Sequence, residues 1–306
     1  LALGLSRLLG DRLTIIVNTG DDFEHLGLHV SPDIDTTVYT LCGLANKELG
    51  WGRDGETWNF MEAAGALGAP EWFRLGDKDL AMNIIRTARL RQGESLSDIT
   101  ADVSRHLSVS SKVIPMTDAP VRTMIDTPDG PLEFQEYFVR QRCAPKALGI
   151  RFVGAEHAMP VPAALEALAA PDLAGVIICP SNPYLSVDPI LAVPSMTEAI
   201  SAAGPVIAVS PIIGGNAVKG PAAKLMRELG REVSAQTVAE HYGELLDGFV
   251  LDTKDAALAS EIATQALVAE TLMVEMEDKV RLATDVLAFA KELSRERLES
   301  RPEAAR

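Results

Sequence analysis

The spacing of apolar positions changes along the chain, and each change predicts an element. Leu1, Leu5, Leu8 and Leu9 recur at helical intervals. Nothing caps that helix at its beginning, so it reads as a helix body whose preceding strand and turn lie outside this numbering. Residues 13–17 form a short run rich in β-branched side chains, the mark of a buried strand, and it ends in Asn18-Thr-Gly-Asp-Asp22. A loop is expected next. Ser31-Pro-Asp-Ile-Asp35 then leads into a helix over 36–49, with Val38, Leu41, Leu44 and Ala45 on one face. Residues 54–108 carry mostly helical patterns, 79–91 and 98–107 among them. Residues 121–127 and 132–139 flank Pro128-Asp-Gly-Pro131, a hairpin signal. From residue 150 strands and helices alternate. Strands are expected at 150–153, 175–179, 206–209, 249–252 and 267–274; helices at 161–169, 194–202, 222–229, 238–246, from 255 and from 279. The tail 300–306 is expected to fray.

Such alternation predicts an α/β protein, doubly wound on a mainly parallel sheet with helices on both faces. The helical and hairpin stretch 51–139 reads as a smaller, mostly helical inserted subdomain. The core is then built from 1–50 and 140–306, and 306 residues suffice to bury it.

Charge narrows the partners. Lys and Arg total 28 against 43 Asp and Glu, and a net charge of −15 repels a nucleic-acid backbone. A small phosphorylated ligand needs only local donors or a cation to reverse that field. Cys42, Cys143 and Cys179 are odd in number and form no CxxC pair, which fits a reduced, cytoplasmic setting. No apolar run is long enough for a membrane helix, and the start carries no leader pattern.

The unusual polar clusters fall at expected strand ends, where open α/β sheets bind ligands. Asn18-Thr-Gly-Asp-Asp22 and Ser31-Pro-Asp-Ile-Asp35 place four Asp in fifteen residues, a donor set suited to magnesium with phosphate oxygens. The alternative is that Asp33 or Asp35 caps a helix while Asp21 and Asp22 are solvated. Pro180-Ser-Asn-Pro183 would present Ser181 and Asn182 to a base or phosphate, or be an ordinary stiff turn. In Ser210-Pro-Ile-Ile-Gly-Gly215, glycine would let backbone N–H groups approach an anion, before a helix opened by Pro221. A tight connection is the plainer reading. The Walker order, a Gly-x-Ser-x-Gly elbow and His-Glu-x-x-His are absent. His25 and His29 stand four apart near carboxylates, as ligands or as surface residues. Trp51, Trp58 and Trp72 suit core contacts, and Trp51-Gly52 would also line an aromatic pocket.

Taken in order, these clusters resemble the 2-phospholactate transferase family, CofD or FbiA, of coenzyme F420 biosynthesis. The match rests on Asn18-Thr-Gly-Asp-Asp22, Ser31-Pro-Asp-Ile-Asp-Thr36, Gly50-Trp-Gly52, Leu75-Gly-Asp-Lys-Asp-Leu80, Phe134-Gln-Glu136, Pro180-Ser-Asn-Pro183 and Ser210-Pro-Ile-Ile-Gly-Gly215. The resemblance implies a Rossmann-like core with a smaller helical subdomain, a homodimer and Mg2+. It implies transfer of a phospholactyl or phosphoenolpyruvyl group from a GDP-linked donor, lactyl- or enolpyruvyl-2-diphospho-5'-guanosine. The acceptor is a ribityl hydroxyl of the deazaflavin Fo, and GMP leaves. By resemblance Asp33 and Asp35 are catalytic, and Asp33, Asp35 and Asp22 hold the metal. Asn18 and Thr19 bind substrate; Ser181, Asn182, Ser210, Ile213, Gly214 and Gly215 face the donor nucleotide; Asp77, Asp79 and Arg86 lie nearer the acceptor. Three features depart from the family. Its members open with a strand and a Gly-Gly-x-Gly-Gly loop ahead of the helix found here at Leu1. Met82-Asn83 stands where Thr-His is common, and Lys219 where relatives have Ser or Arg. A non-catalytic, nucleotide-sugar-binding regulator of the same fold is the alternative. It resembles a pattern with Asn-Asp-Asp followed by Gly and Ser, whereas this chain reads Thr19-Gly-Asp-Asp22.

Overall fold

Runs of residues apolar on both faces form the parallel sheets, and alternating runs form the antiparallel ones. The computed structural model describes residues 1–46, 52–218 and 220–299, and the chain divides into two units. One comprises residues 1–10, 162–191 and 195–306; the other comprises 11–161 and 192–194. The expected insertion, 51–139, lies wholly within the second, together with the strand Thr14–Val17.

The first unit holds a parallel sheet in the order Gln265–Ala269, Gly248–Asp252, Val206–Val209, Val176–Ile178. Val250 stands opposite Val209 on one side and Leu267 on the other. Both central strands are buried along their whole length, which is why they read as unbroken apolar runs. Helix Met276–Glu299 lays Leu282, Val286, Phe289 and Leu293 on Ile207, Val209 and Val250. That spacing of four, three and four is one helical face, and each fully buried side chain of this size contributes about 1.5–3 kcal/mol. Helix Ala2–Leu9, predicted by the leucine spacing, packs on the same helix.

In the second unit Thr14–Val17 pairs in parallel with Lys112–Pro115, and Val17 and Val113 pack with Ile34, Val38 and Leu96. Helices Asn59–Ala66, Asp77–Arg91 and Leu96–His106 occupy the stretch expected to be helical. Arg122–Thr127 is flanked by Gly130–Glu133 and Gly149–Val153, antiparallel to both. The hairpin at residues 127–130 therefore stands, while the strand expected at 150–153 in a parallel sheet is antiparallel.

Other expectations shift. The helix expected over 36–49 is Pro32–Leu41, because Pro32 takes the first helical position and Asp33 and Asp35 sit in the first turn, where the helix dipole favours negative charge. Gly43, at φ 77°, carries the chain away after it. The loop expected after Asp22 is a hairpin, Phe23–His25 with Leu28–Val30. The strand expected to reach 139 stops at Glu133, and one wide helical turn, Glu136–Arg140, buries Tyr137. The helix expected from 255 is a tight-turned segment, Thr253–Glu261. Residues 47–51, which hold the end of the helix expected over 36–49 and Gly50-Trp51, lie outside the described residues, as do Lys219 and the tail 300–306. No helix among the described residues is long and apolar enough to cross a membrane.

Candidate functional site

Beyond the strand Thr14–Val17, Asn18 organises a nest of carboxylates. Its side-chain Oδ1 accepts from the Gly20 amide at 2.7 Å, and its Nδ2 donates to Asp33 Oδ2 at 3.1 Å and to Asp21 Oδ1 at 3.3 Å. Gln135, from the turn beyond the hairpin, donates to the other oxygen of Asp21 at 3.3 Å. Asp22 Oδ2 accepts from the Ser31 hydroxyl at 2.7 Å and lies 3.0 Å from His29 Nε2. Asp22 Oδ1 and the Thr19 hydroxyl are buried without a hydrogen-bond partner.

Burial and neighbouring carboxylates raise the proton affinity of Asp21 and Asp33. Asp21 is pushed well above the usual range by burial, then by Asp33 and Asp22 beside it. Burial raises Asp33 to about 6, against the Asn18 hydrogen bond and with the help of Asp22. A buried cluster of like charge is stable as anions only where positive charge or donors meet it. Magnesium suits these residues as an ion held by one or two carboxylates and completed by water and ligand oxygens. The buried, unpartnered Asp22 Oδ1 is the clearest sign that these residues fit such an ion. Among the described residues, no three His, Cys, Asp or Glu side chains are grouped to hold an ion unaided, so ligand oxygens would have to complete the sphere.

Asp35 is placed differently. Its carboxylate receives Arg86, whose guanidinium also donates to Asn83 Oδ1 at 2.9 Å and to the His29 carbonyl at 3.3 Å. Arg86 is 2% exposed, so it acts inside the unit and not as a surface arm. Burial raises Asp35 to about 6 although Arg86 opposes it, with Asp79 adding to the rise. Asp79 accepts from the buried Tyr39 hydroxyl at 2.8 Å. Asp77 binds Thr57, Asn59 and the Phe60 amide, and these bonds, the Thr57 hydroxyl first, lower it to about 2. The capping alternative for Asp33 and Asp35 is thus set aside in favour of bonds to Asn18 and Arg86.

The remaining expected residues lie in the first unit. Asn182 Oδ1 accepts from the Tyr184 amide at 3.1 Å, which fixes the amide's orientation and leaves its Nδ2 buried and unpartnered. Ser210 closes a turn on Ile212, its hydroxyl donating to the Ile212 carbonyl at 2.9 Å. Ile212–Ile213 and Asn216–Ala217 form a two-residue hairpin through Gly214 and Gly215, whose φ values of 56° and 72° suit glycine. The Gly214 amide, expected to meet an anion, donates to the Asp255 carboxylate at 2.9 Å.

The structure therefore brings together Asn18, Thr19, Asp22 and Asp33, and joins Asp35 to Arg86. Three residues around Asp21 and Asp22 escaped the expected set: His29, Ser31 and Gln135. Gln135 lies 114 positions from its partner, and only its place in the Phe134-Gln-Glu136 motif signalled it.

The family model described as 2-phospho-L-lactate transferase CofD matches residues 1–291. A phosphoenolpyruvate transferase of Streptomyces coelicolor is 41% identical over 291 residues, covering 92% of this chain and 91% of its own length. A 2-phospho-L-lactate transferase of Methanopyrus kandleri is 40% identical over 294 residues, covering 95% and 93%. A solved structure of a UPF0052 family protein from Bacillus halodurans superposes with a TM-score of 0.60 at 14% identity, over 94% of each chain, and that likeness concerns the fold alone.

Proposed function

The chain belongs to the 2-phospho-L-lactate transferase CofD family, and on that footing we propose that it transfers a phospholactyl or phosphoenolpyruvyl group from a GDP-linked donor to the deazaflavin Fo. A ribityl hydroxyl oxygen of Fo forms the new bond to the phosphorus next to the lactyl or enolpyruvyl group. The bond from that phosphorus to the bridging oxygen breaks, GMP leaves with the electron pair, and the hydroxyl proton is released. The product is an intermediate of coenzyme F420 biosynthesis.

Such a reaction asks the protein for positioning and for charge neutralisation at oxygen. The observation that carries the reading is the buried acidic nest in which Asp22 keeps one oxygen without a partner beside Asp33. Asp33 and Asp22 would hold magnesium, which, when bound, neutralises charge on diphosphate oxygens. Asn18 orients Asp33, and Thr19 offers a buried hydroxyl to substrate. In the first unit, taken by itself, the buried Asn182 amide Nδ2 and the Ser210–Gly215 turn would offer contacts to a nucleotide. Asp35, Asp79 and Arg86 support the acceptor side from within. The rest of the reading is a Rossmann-like core with a smaller inserted subdomain, a homodimer and a cytoplasmic setting.

Incubation of the chain with Fo, Mg2+ and each guanylylated donor in turn, with mass analysis, tests it. GMP release with the mass of a phospholactyl- or enolpyruvyl-phosphoryl-Fo is expected. No product from either donor would remove the reading.

A further inference from the structure

His25 and His29 stand four apart in sequence, but the hairpin separates their roles. His25 lies among Phe23, Trp72 and Phe73, with ring centroids 5.4–6.1 Å away. His29 turns to Asp22. The backbone of His29 is held at both polar groups by helix Asp77–Arg91: Thr87 Oγ1 accepts its N–H at 2.8 Å, and Arg86 donates to its carbonyl at 3.3 Å. Thr87 and Arg86 are anchored in turn, Thr87 to the Asn83 carbonyl at 2.6 Å and Arg86 to Asp35. Residue 29 thus has little freedom, although it belongs to a short two-stranded ribbon, a structure that is marginal by itself.

The consequence falls on Asp22. His29 Nε2 and the Ser31 hydroxyl both engage Oδ2, so that oxygen is saturated, while Oδ1 is buried with no partner. We propose that His29 is a positioning residue, clamped by Thr87 and Arg86, that fixes the Asp22 carboxylate so that Oδ1 is presented to a bound divalent cation. The inference rests on the reading of the acidic nest as a magnesium site but is separable from the identity of donor and acceptor. Polar partners that orient a ligating group in this way are worth about 10- to 100-fold in metal affinity or activity.

The test compares His29→Ala, His29→Gln and the unaltered chain. Gln carries a side-chain N–H at about the reach of Nε2. Binding of Mn2+ in the presence of GDP is followed by electron paramagnetic resonance, alongside transfer activity against Mg2+ concentration. His29→Ala is expected to weaken Mn2+ about 10- to 100-fold and to raise the Mg2+ requirement by a similar factor, with KM for Fo little changed. His29→Gln should restore most of the loss, and circular dichroism melts should leave all three folded at the assay temperature. Equal Mn2+ affinity in all three overturns the proposal, as does a loss of affinity in both variants that follows a loss of folded protein. Failure of the unaltered chain to bind Mn2+ overturns it as well. Absence of transfer with retained, His29-dependent Mn2+ binding would remove the assigned reaction and leave this proposal standing.

Discussion

Asp33 is held in the folded protein at a cost that a bound cation would offset. Burial raises it to about 6, the Asn18 hydrogen bond offsets part of that rise, and Asp22 adds to it. In an unfolded chain the same carboxyl titrates near 3.8. Between those values the folded state holds a proton that the unfolded state has released. Stability from this group is therefore greatest below about pH 4, falls as pH rises toward 6, and stays low above it. Asn has no charge to bury and keeps an oxygen for the Asn18 amide. Without added metal, Asp33→Asn should be more stable than the parent at pH 7.5 by roughly 1–3 kcal/mol. The difference should close at pH 4, which paired thermal melts at the two values will check. The same variant should lose transfer activity by at least about 100-fold, because neutralising developing charge is the larger part of such catalysis. Gain of stability with loss of turnover would mark Asp33 as kept for function; coincident melts at both pH values would mean that its charge is not strained.

Elements were legible where their signals are local. The strands Val206–Val209 and Gly248–Asp252 read as buried runs and are buried throughout. The hairpin Phe23–His25 with Leu28–Val30 was hidden because its turn uses Leu26 and Gly27, at φ 52° and 73°, where Asn-Gly is the usual signal. Lys112–Pro115 was missed because it pairs with Thr14–Val17, about a hundred positions earlier. The same physics applies to the candidate site. Asn18, Asp22 and Asp33 stand out in polar motifs at a strand end, whereas Gln135 and Arg86, marked only by the family resemblance, find their bonding partners far along the chain. The helix pair Ala2–Leu9 and Met276–Glu299 offers a further test at this scale. A Cβ placed on Gly4 would come within 2.0 Å of the Lys279 carbonyl oxygen, so the helices would have to separate. Gly4→Ala should cost about 1–3 kcal/mol through that overpacking, despite the better helix propensity of Ala. A melting temperature lowered by several degrees is expected; an unchanged one would mean that the pair separates freely.

At the scale of the whole molecule, a net charge of −15 sets the background against which any phosphorylated ligand binds. A nucleoside diphosphate therefore needs a local source of positive potential, from donors or a cation, and the proposed one is magnesium. Binding to the folded state alone stabilises it by RT ln(1 + [L]/Kd), about 2.7 kcal/mol at a hundredfold excess over Kd. A transferase using a guanosine-linked donor should show that stabilisation with GDP and Mg2+, and much less with GDP after chelation. Uridine diphosphate sugars at the same concentration should raise the melting temperature less than GDP does, since the proposed donor carries guanine. The contrast also separates the proposed transferase from the nucleotide-sugar-binding regulator that the sequence left as the alternative. A nucleotide-sugar-binding regulator would reverse the order, stabilised by the uridine ligand and indifferent to guanosine. Because the melts need no acceptor, they distinguish failure to bind donor from failure to find the right hydroxyl, which a turnover assay alone would merge.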